Sequence, residues 1–564
     1  MKGFQAAARG IAATGVTHVF GLLGDGNLTM ITHLAATSGI EFVRARHESG
    51  AVTMASGFQR ASGRRAIASV TQGPGLTNAL TALTAAVRDR VPLLLVVGDV
   101  APNDLYHLQR SDHAAIAALA GAGFVESREP SQIEADIAAT MAVAEREQRP
   151  YVLNIPETLL TADADGTDEG TAPPQLTREP DVEPDVEPDV EPDVERVRVR
   201  EPDDIERVAE LLTSARRPVL LAGLGAAKAA AGPALRELGR RTGALLATTL
   251  MAHGLFADDP WSVGVSGGFS TPQAMDLLAD ADLVVSFGAR LNALTTAGGR
   301  LYRSASIVQV DLDEAALGER VSPTVTLAGD ARRVAQELVS ALEARDTPVH
   351  VGYRSDRVRR LLDDWDPERW PTGDAVGETI DPRTFSAVLS RTLPRERTIV
   401  VDTGHFMQFP STHLLPPDER GFLLSVGFGS LGLSLGTAIG AAVGRPDRVT
   451  IATMGDGGFL MALAELETVA RLAPRLVIAV FNDAAYGAEV HHLRAKQMPD
   501  EIAFFPSVDI AAVAASMGIA SRVVRTAGDV ESLNAKDFDR PLLLDARVDP
   551  GAVAPYFARK YPTG

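Results

Sequence analysis

Residues 450–487 constrain the fold of this chain more than any other stretch, because strand, turn and helix signals follow one another there in the order of a parallel α/β unit. Apolar runs predict strands over residues 449–454 and 476–481. Between them, a glycine-rich turn leads into one amphipathic helix, whose apolar residues recur at three- and four-residue spacing: Leu460, Leu463, Leu466, Val469 and Leu472. An acidic turn follows each strand. Open α/β sheets bind ligands at the carboxyl ends of neighbouring parallel strands.

The two acidic turns carry the chemistry of a metal and phosphate site. Gly457 and Gly458 offer backbone N–H groups that can approach a phosphate closely. Asp456 and Asp483 add hard oxygen ligands, and Mg²⁺ is commonly held by one or two carboxylates together with ligand phosphates. The sequence therefore predicts a metal-diphosphate site. The alternative is that the segment GDG is ordinary turn punctuation.

Composition excludes several other classes of protein. The 564 residues include no cysteine, so disulfides, thiol nucleophiles and zinc-thiolate sites are excluded, and we expect a cytoplasmic protein. The formal net charge of −19 argues against nucleic acid as a partner, because phosphates repel an acidic surface. No apolar run approaches about 18 residues and the N-terminus lacks a signal-peptide core, so we expect no membrane span.

Strand and helix signals alternate in three blocks, which predicts an α/β fold with three doubly wound parallel-sheet domains. Four tandem Glu-Pro-Asp-Val units at residues 179–194 predict an extended acidic linker. A second, charged and proline-containing linker precedes the third block. The predicted segments are a first domain at 1–165, a linker at 166–200, a central domain at 201–345, a linker at 346–378 and a third domain at 379–564. Strands are predicted at residues 16–21, 42–46, 66–71, 91–98, 218–222, 283–287 and 398–402.

Polar turns hold the candidate catalytic residues. Glu48, in the segment RHE, begins a predicted helix, where a capping acid is the common alternative role. Asp25 lies in the segment GDGN, where a turn acid is the common alternative. His107 and Gln109 follow the fourth predicted strand, and a lone histidine is more often a packing residue than a catalyst. Glu489, in the third block, is otherwise a solvated helix charge.

The order of these motifs resembles the thiamine-diphosphate-dependent 2-oxo acid decarboxylase and acetohydroxyacid synthase family. The resemblance rests on RHE followed by a helix, on the segments GFQRASGR and TQGPGLTN, and on GDG followed by Asn482 and Asp483. It implies that Asp456, the side chain of Asp483 and the backbone carbonyl of Ala485 ligate Mg²⁺. The family has asparagine where this chain has Asp483, which adds a negative charge beside a diphosphate.

The resemblance also implies contacts to thiamine diphosphate. Glu48 matches the acid that contacts N1′ of the aminopyrimidine and drives formation of the 4′-imino tautomer. Leu431 matches the apolar residue that bends the cofactor, so that its 4′-amino group approaches C2. The carbonyl of Gly429 and the N–H of Leu431 would bond the pyrimidine. The remaining expected cofactor contacts are Thr403, Gly404, His405, Phe406, Gly457, Gly458 and Tyr486.

Features that separate the branches of this family point in different directions. Asp25 and Glu489 match proton-handling acids of the simple decarboxylases, and His107 matches half of their His-His pair. Gln109 is similar to a synthase residue, but synthases have tryptophan where this chain has His492. We predict decarboxylation of a 2-oxo acid with carboligation to a second carbonyl compound. Release of a free aldehyde is the first alternative, and a non-catalytic scaffold is an alternative of another class.

The resemblance has further implications for cofactors and assembly. Gly223, Gly225 and Arg290 in the central block form only a weak nucleotide-binding pattern, so we do not predict FAD. In the family the residue that Glu48 matches meets the diphosphate domain of another subunit. We therefore expect a homodimer or homotetramer with active sites at subunit interfaces. The expected partners are small molecules: a 2-oxo acid, and an aldehyde or a second 2-oxo acid.

Overall fold

A computed structural model describes residues 1–164, 202–345, 349–364 and 377–560. These residues form three six-stranded parallel sheets with flanking helices, so the predicted α/β fold with three doubly wound sheets is confirmed. The predicted linker at 166–200, with its Glu-Pro-Asp-Val units, lies outside the described residues. Within the described ranges, no helix is both long enough and apolar enough to cross a membrane.

The first domain contains the four strands predicted there, with slightly shifted ends, and two that were not predicted. Its strands are β1 His18–Gly21, β2 Glu41–Arg44, β3 Ala66–Val70, β4 Leu93–Asp99, β5 Gly123–Glu126 and β6 Tyr151–Pro156. Its helices are α1 Gly3–Ala13, α2 Leu28–Thr37, α3 Glu48–Ser62, α4 Pro74–Arg88, α5 His113–Ala120, α6 Ile133–Glu147 and α7 Glu157–Thr161. The order in the sheet is β2-β1-β3-β4-β6-β5. The chain therefore reverses its direction of winding between β1 and β3, which is where such sheets open a crevice.

The central domain has a different strand order and takes in part of the predicted second linker. Its strands are β7 Pro218–Ala222, β8 Leu245–Thr248, β9 Ser262–Val265, β10 Leu283–Phe287, β11 Ser306–Asp311 and β12 Val325–Ala328, in the order β12-β11-β10-β7-β8-β9. Its helices are α8 Pro202–Ser214, α9 Leu224–Lys228, α10 Gly232–Thr242, α11 Pro272–Ala279, α12 Ala331–Ala344 and α13 Asp356–Asp363. Helix α13 lies within residues 346–378, and Val358 is buried in the core of the central domain. The described part of that segment therefore packs as part of the domain.

The third domain repeats the strand order of the first. Its strands are β13 Arg397–Val401, β14 Phe422–Leu424, β15 Val449–Gly455, β16 Leu476–Asn482, β17 Ala520–Val524 and β18 Leu542–Arg547, in the order β14-β13-β15-β16-β18-β17. Its helices are α14 Pro382–Thr392, α15 Gln408–His413, α16 Ser434–Gly444, α17 Asp456–Met461, α18 Glu465–Leu472, α19 Gly487–Ala495, α20 Ile510–Ser516, α21 Ala527–Glu531 and α22 Pro555–Lys560. Strands β13, β15 and β16 therefore end side by side.

The prediction of one amphipathic helix after β15 was wrong. Two short helices, α17 and α18, stand there instead. Leu466 and Val469 on α18 are fully buried, whereas Leu460 on α17 is 39% exposed. The apolar spacing continues across the break between the helices, so periodicity alone could not reveal it.

The first and third domains share one hydrophobic core, formed where α3 packs against α16. Glycines permit the close approach of these helices. A Cβ placed on Gly440 would lie 1.8 Å from the carbonyl oxygen of Met54, and one on Gly57 would lie 1.9 Å from that of Thr437. The helix that begins at Glu48 is therefore packed directly on the helix that follows Leu431.

Candidate active site

Three aspartates follow strands that lie side by side in the third sheet. Asp402 follows β13, Asp456 follows β15, and Asp483 follows β16. Because these parallel strands point the same way, their carboxyl ends meet at one edge of the sheet. This edge is where the sequence predicts the metal-diphosphate site.

The carboxyl groups of Asp456 and Asp483 hydrogen-bond to each other. Burial raises the pKa of both groups, and repulsion from Asp456 adds to the rise in the pKa of Asp483. Two like charges so close together are unfavourable unless a proton or a cation lies between them. The pair is therefore suited to holding a divalent cation.

His405 does not supply positive charge to this pair. Its Nε2 lies 3.9 Å from the Asp483 carboxylate. Burial, followed by repulsion from His491, lowers the pKa of His405 to about 3, so the ring is neutral. The two carboxyl groups are therefore not neutralised by His405, which suits this edge to a cation.

The chain supplies only part of a coordination shell. Among the described residues, no group of three or more His, Cys, Asp or Glu side chains is arranged to hold a metal. Asp456 and Asp483 provide two carboxylates, and Ala485 follows a residue, Ala484, in the left-handed conformation at φ 52°. Mg²⁺ takes six oxygen ligands, so cofactor phosphates and water would complete the shell. This donor set fits magnesium held by a bound diphosphate.

The two glycines after Asp456 differ in their surroundings. A Cβ placed on Gly457 would meet no atom within 4 Å, so its backbone faces open space. A Cβ placed on Gly458 would lie 2.3 Å from the carboxylate of Asp402, so that position is filled. The open side at Gly457 leaves room for a phosphate to approach the backbone.

Among the other residues predicted to contact the diphosphate, the side chains of Thr403 and Phe406 already have partners within the protein. The hydroxyl of Thr403 donates to the carbonyl of Ser425 at 3.0 Å. The buried ring of Phe406 stacks on Phe481, with the ring centroids 5.0 Å apart. At Gly404 a Cβ would lie 2.7 Å from the Phe406 ring. Contacts from this turn to a diphosphate would therefore come from backbone N–H groups.

Leu431 is 44% exposed, which is unusual for a leucine beside a domain core. The turn that carries it depends on glycine, because Gly429 has φ 70° and Gly432 has φ 80°. The N–H of Gly432 donates to Asp402 at 2.9 Å, and burial raises the pKa of Asp402 to about 7. This turn therefore presents the apolar side chain of Leu431 beside the sheet edge that carries Asp402, Asp456 and Asp483. Asp402 is not among the site residues predicted from the sequence.

Tyr486 and Glu489 lie beyond the second acidic turn. Tyr486 is 55% exposed and meets Phe505 edge to face, and Glu489 is exposed on the first turn of α19. His491 on the same helix packs against His405, with the ring centroids 4.9 Å apart, and lies near Phe557. Sequence reasoning missed His491 and Phe557, and the adjacent histidines at 491 and 492 were the available signal.

In the first domain, Glu48 is the first residue of α3 and is half-buried. Its carboxylate accepts a hydrogen bond from the side-chain amide of Asn78 at 3.1 Å. Asn78 lies in the segment TQGPGLTN, so the structure brings two of the family motifs together. This contact lies within the first domain, whereas the paired aspartates lie in the third.

Gln109 is linked to the switch point of the first sheet. Its side-chain oxygen accepts from the amide of Gln72 at 2.8 Å, and the oxygen of Gln72 accepts from the hydroxyl of Thr71 at 2.6 Å. The same hydroxyl accepts from the N–H of Gly26, beside the exposed Asp25. His107 accepts from the N–H of Gln109 at 3.2 Å. The structure thus brings the predicted residues of this domain's turns to one edge.

In the central domain, the glycines of the weak nucleotide-binding pattern form backbone hydrogen bonds within the protein. The N–H of Gly223 donates to the carbonyl of Phe287, and the N–H of Gly225 donates to that of Gly288. Arg290 lies 3.5 Å from Asp313. The N–H groups of Gly223 and Gly225 and the guanidinium of Arg290 therefore already have partners within the protein.

Family models match all three domains. The N-terminal TPP binding domain of thiamine pyrophosphate enzymes matches residues 1–117, their central domain matches residues 205–338, and their C-terminal TPP binding domain matches residues 402–546. The matched residues include strands of each of the three sheets described above. The chain belongs to the thiamine pyrophosphate enzyme family, as the motifs predicted.

Curated relatives have names from both branches of that family. The chain is 28% identical to a probable acetolactate synthase large subunit of Methanocaldococcus jannaschii, over 98% of this chain and 93% of the relative. It is 27% identical to the acetolactate synthase isozyme 2 large subunit of Escherichia coli, over 97% and 96%. It is 32% identical to a probable 2-ketoarginine decarboxylase, AruI, of Pseudomonas aeruginosa, over 86% and 82%.

Proposed function

We propose that the protein decarboxylates a 2-oxo acid with thiamine diphosphate and joins the remaining fragment to a second carbonyl compound. The observation that carries this proposal is the partly buried pair of Asp456 and Asp483 beside the open backbone of Gly457. Relatives named acetolactate synthase, which match nearly the whole chain, support carboligation.

Asp456, Asp483 and the carbonyl of Ala485 would hold Mg²⁺, and the backbone at Gly457 would receive the diphosphate. When bound, thiamine diphosphate supplies an electron sink that accepts the electrons left when CO₂ departs. The buried, acidic edge contributes fixed charge and excludes bulk water, which strengthens the grip on the metal. We include magnesium in the proposal because the donor set is incomplete without cofactor oxygens.

Glu48 would exchange a proton with N1′ of the aminopyrimidine. Its carboxylate is half-buried and oriented by Asn78, as a proton-transfer group requires. In the family that the motifs resemble, the acid that Glu48 matches meets the diphosphate domain of another subunit, so we propose a homodimer or homotetramer in which Glu48 serves the partner's cofactor. The exposed apolar side chains of Phe428, Leu431 and Tyr486 support such a cover by a second copy.

The test is an assay of the purified protein with thiamine diphosphate, Mg²⁺ and a panel of 2-oxo acids that begins with pyruvate. Release of CO₂ and the products are followed by proton NMR, with and without aldehyde acceptors. An acyloin or acetolactate as the main product is expected. The control is Glu48→Gln, which keeps the shape of the side chain and should lower turnover by roughly a hundredfold or more. Turnover by neither protein with any substrate would refute the proposal.

A second candidate is simple decarboxylation with release of an aldehyde. Glu489 is exposed on the first turn of α19, two residues before His491, which packs against His405. A relative named as a probable 2-ketoarginine decarboxylase supports this outcome. The panel therefore includes 2-oxo acids with cationic side chains. A free aldehyde as the main product, even with acceptor present, would favour this candidate over carboligation.

A further inference from the structure

A buried carboxylate of the third domain contacts the backbone directly before Glu48. Glu465 is the first residue of α18 and is 3% exposed. Its Oε1 accepts hydrogen bonds from the N–H groups of Arg46 and His47, both at 3.0 Å. These two residues form the turn between β2 and α3, and Glu48 is the next residue. The side chain of Glu465 thus joins α18 of the third domain to the start of α3 in the first domain.

Neighbouring contacts hold this carboxylate in a single position. Its other oxygen, Oε2, accepts from the hydroxyl of Thr468 at 2.7 Å. A Cβ placed on Gly50 would lie 2.0 Å from Oε1, so any larger residue there would displace the carboxylate. Around it, the guanidinium of Arg46 pairs with Glu467 at 2.6 Å at the surface.

Burial disfavours the charged form of the Glu465 side chain. Burial raises the pKa of Glu465, and the hydrogen bonds from Thr468, Arg46 and His47 oppose that rise. A buried acid that bonds backbone N–H groups across a domain boundary fixes geometry, because each N–H loses its partner if the acid is removed. The geometry fixed here is that of the residues leading into Glu48.

We propose that Glu465 is a positioning residue for Glu48. By holding the N–H groups of Arg46 and His47, it fixes where α3 begins and therefore where the Glu48 carboxylate stands. This inference rests on the proposed role of Glu48 at the aminopyrimidine. It adds that the third domain of the same chain, through α18, determines the position of that acid.

The experiment compares Glu465→Ala and Glu465→Gln in the full-length protein. The glutamine side-chain oxygen can accept both backbone N–H groups, and its NH₂ can donate to Thr468, so this variant should retain the contact. Gly50→Ala should displace the Glu465 carboxylate and so disrupt the contact without replacing Glu465 itself. Glu467→Gln is the matched control, because it removes a neighbouring surface acid whose ion pair contributes little.

Two readouts are needed. Backbone amide hydrogen exchange of a peptide covering residues 44–50 reports the contact itself. Exchange of the C2 proton of bound thiamine diphosphate, followed by NMR after acid quench, reports the action of Glu48. Glu465→Ala and Gly50→Ala should lose amide protection and slow C2 exchange by about tenfold to a hundredfold, the range expected for misplacement by about 1 Å. Glu465→Gln and Glu467→Gln should stay within about threefold of the native protein in both readouts.

Three results would overturn the inference. Unchanged amide protection in Glu465→Ala would show that the contact does not hold the turn. Lost protection with native C2 exchange would make Glu465 a purely structural residue, and Glu465→Gln as impaired as Glu465→Ala would show that charge, not backbone positioning, matters. If Glu48→Gln itself leaves C2 exchange unchanged while Glu465→Ala loses amide protection, the role of Glu48 fails, and this inference fails with it for that separate reason.

Discussion

Replacing Asp483 with asparagine should stabilise the metal-free protein above neutral pH. The Asp483 carboxyl is buried and hydrogen-bonded to that of Asp456, and burial and repulsion raise its pKa. The folded chain therefore keeps a proton that the unfolded chain releases above about pH 4. Because the folded state binds more protons in this range, its stability falls as the pH rises from about 4 toward neutrality. Asparagine has no such proton to lose.

The magnitude follows from the closeness of the two charges. Two unit charges about 4 Å apart repel each other by about 4 kcal/mol at an effective dielectric constant of roughly 20. Relaxation and solvent reduce this value, so we expect Asp483→Asn to raise the free energy of unfolding by about 2 kcal/mol at pH 8. For a domain of the size of the third one, that change in free energy corresponds to a rise of roughly 4 to 8 °C in the melting midpoint.

Scanning calorimetry of metal-free protein at about pH 4.5 and pH 8, with and without Mg²⁺, tests this prediction. The native protein and Asp483→Asn should have the same melting midpoint at the lower pH, and the variant should have the higher midpoint at pH 8. Saturating Mg²⁺ should stabilise the native protein more than the variant, because the ion neutralises a charge that the variant lacks. Asp539→Asn, at an exposed ion pair with Arg475, is the control. Equal midpoints of native and variant protein at pH 8 without metal would refute the reasoning.

Three further predictions concern the apolar turn, the domain contact and the outcome of the reaction. Leu431→Ala should change unfolding stability by less than about 1 kcal/mol because the side chain is 44% exposed, yet lower kcat at saturating cofactor about tenfold or more. Gly440→Ala should lower the free energy of unfolding by about 1–3 kcal/mol in a urea titration, because its Cβ would lie 1.8 Å from the Met54 carbonyl oxygen. Glu489→Gln should leave the melting midpoint unchanged, because the side chain is exposed, and should reduce the share of free aldehyde measured by NMR. An unchanged share would contradict a role of this acid in protonating the product.

The sequence predicted the parts of the site that depend on local order. Asp456 and Asp483 each follow a strand, and neighbouring parallel strands bring their ends together whatever else the chain does. The same reasoning placed Glu48 at the start of α3, where the structure has it. Of the eighteen strands in the described residues, nine escaped prediction: β5, β6, β8, β9, β11, β12, β14, β17 and β18. The helix after Asp456 proved to be two helices, because apolar spacing continues through a short break.

Contacts between distant segments were outside the reach of the sequence. Glu465 lies more than 400 positions from the N–H groups of Arg46 and His47 that it accepts from, and nothing in its local pattern distinguishes it from a solvated helix acid. Asp402 is similar, because its hydrogen bond to Gly432 depends on the turn before α16 meeting the end of β13. Such residues emerge only once the sheets and helices have been packed together.

The first and third domains have the same strand order, yet their equivalent edges carry different chemistry. After β15 and β16 the third domain places two partly buried acids, the kind of ligand that a divalent cation prefers. After β3 the first domain places Thr71 and Gln72, which extend through Gln109 as an uncharged hydrogen-bonded chain. Since a pair of acids attracts a cation whereas an amide and hydroxyl chain carries no charge, the two edges are suited to different ligand groups although they are built on one strand order.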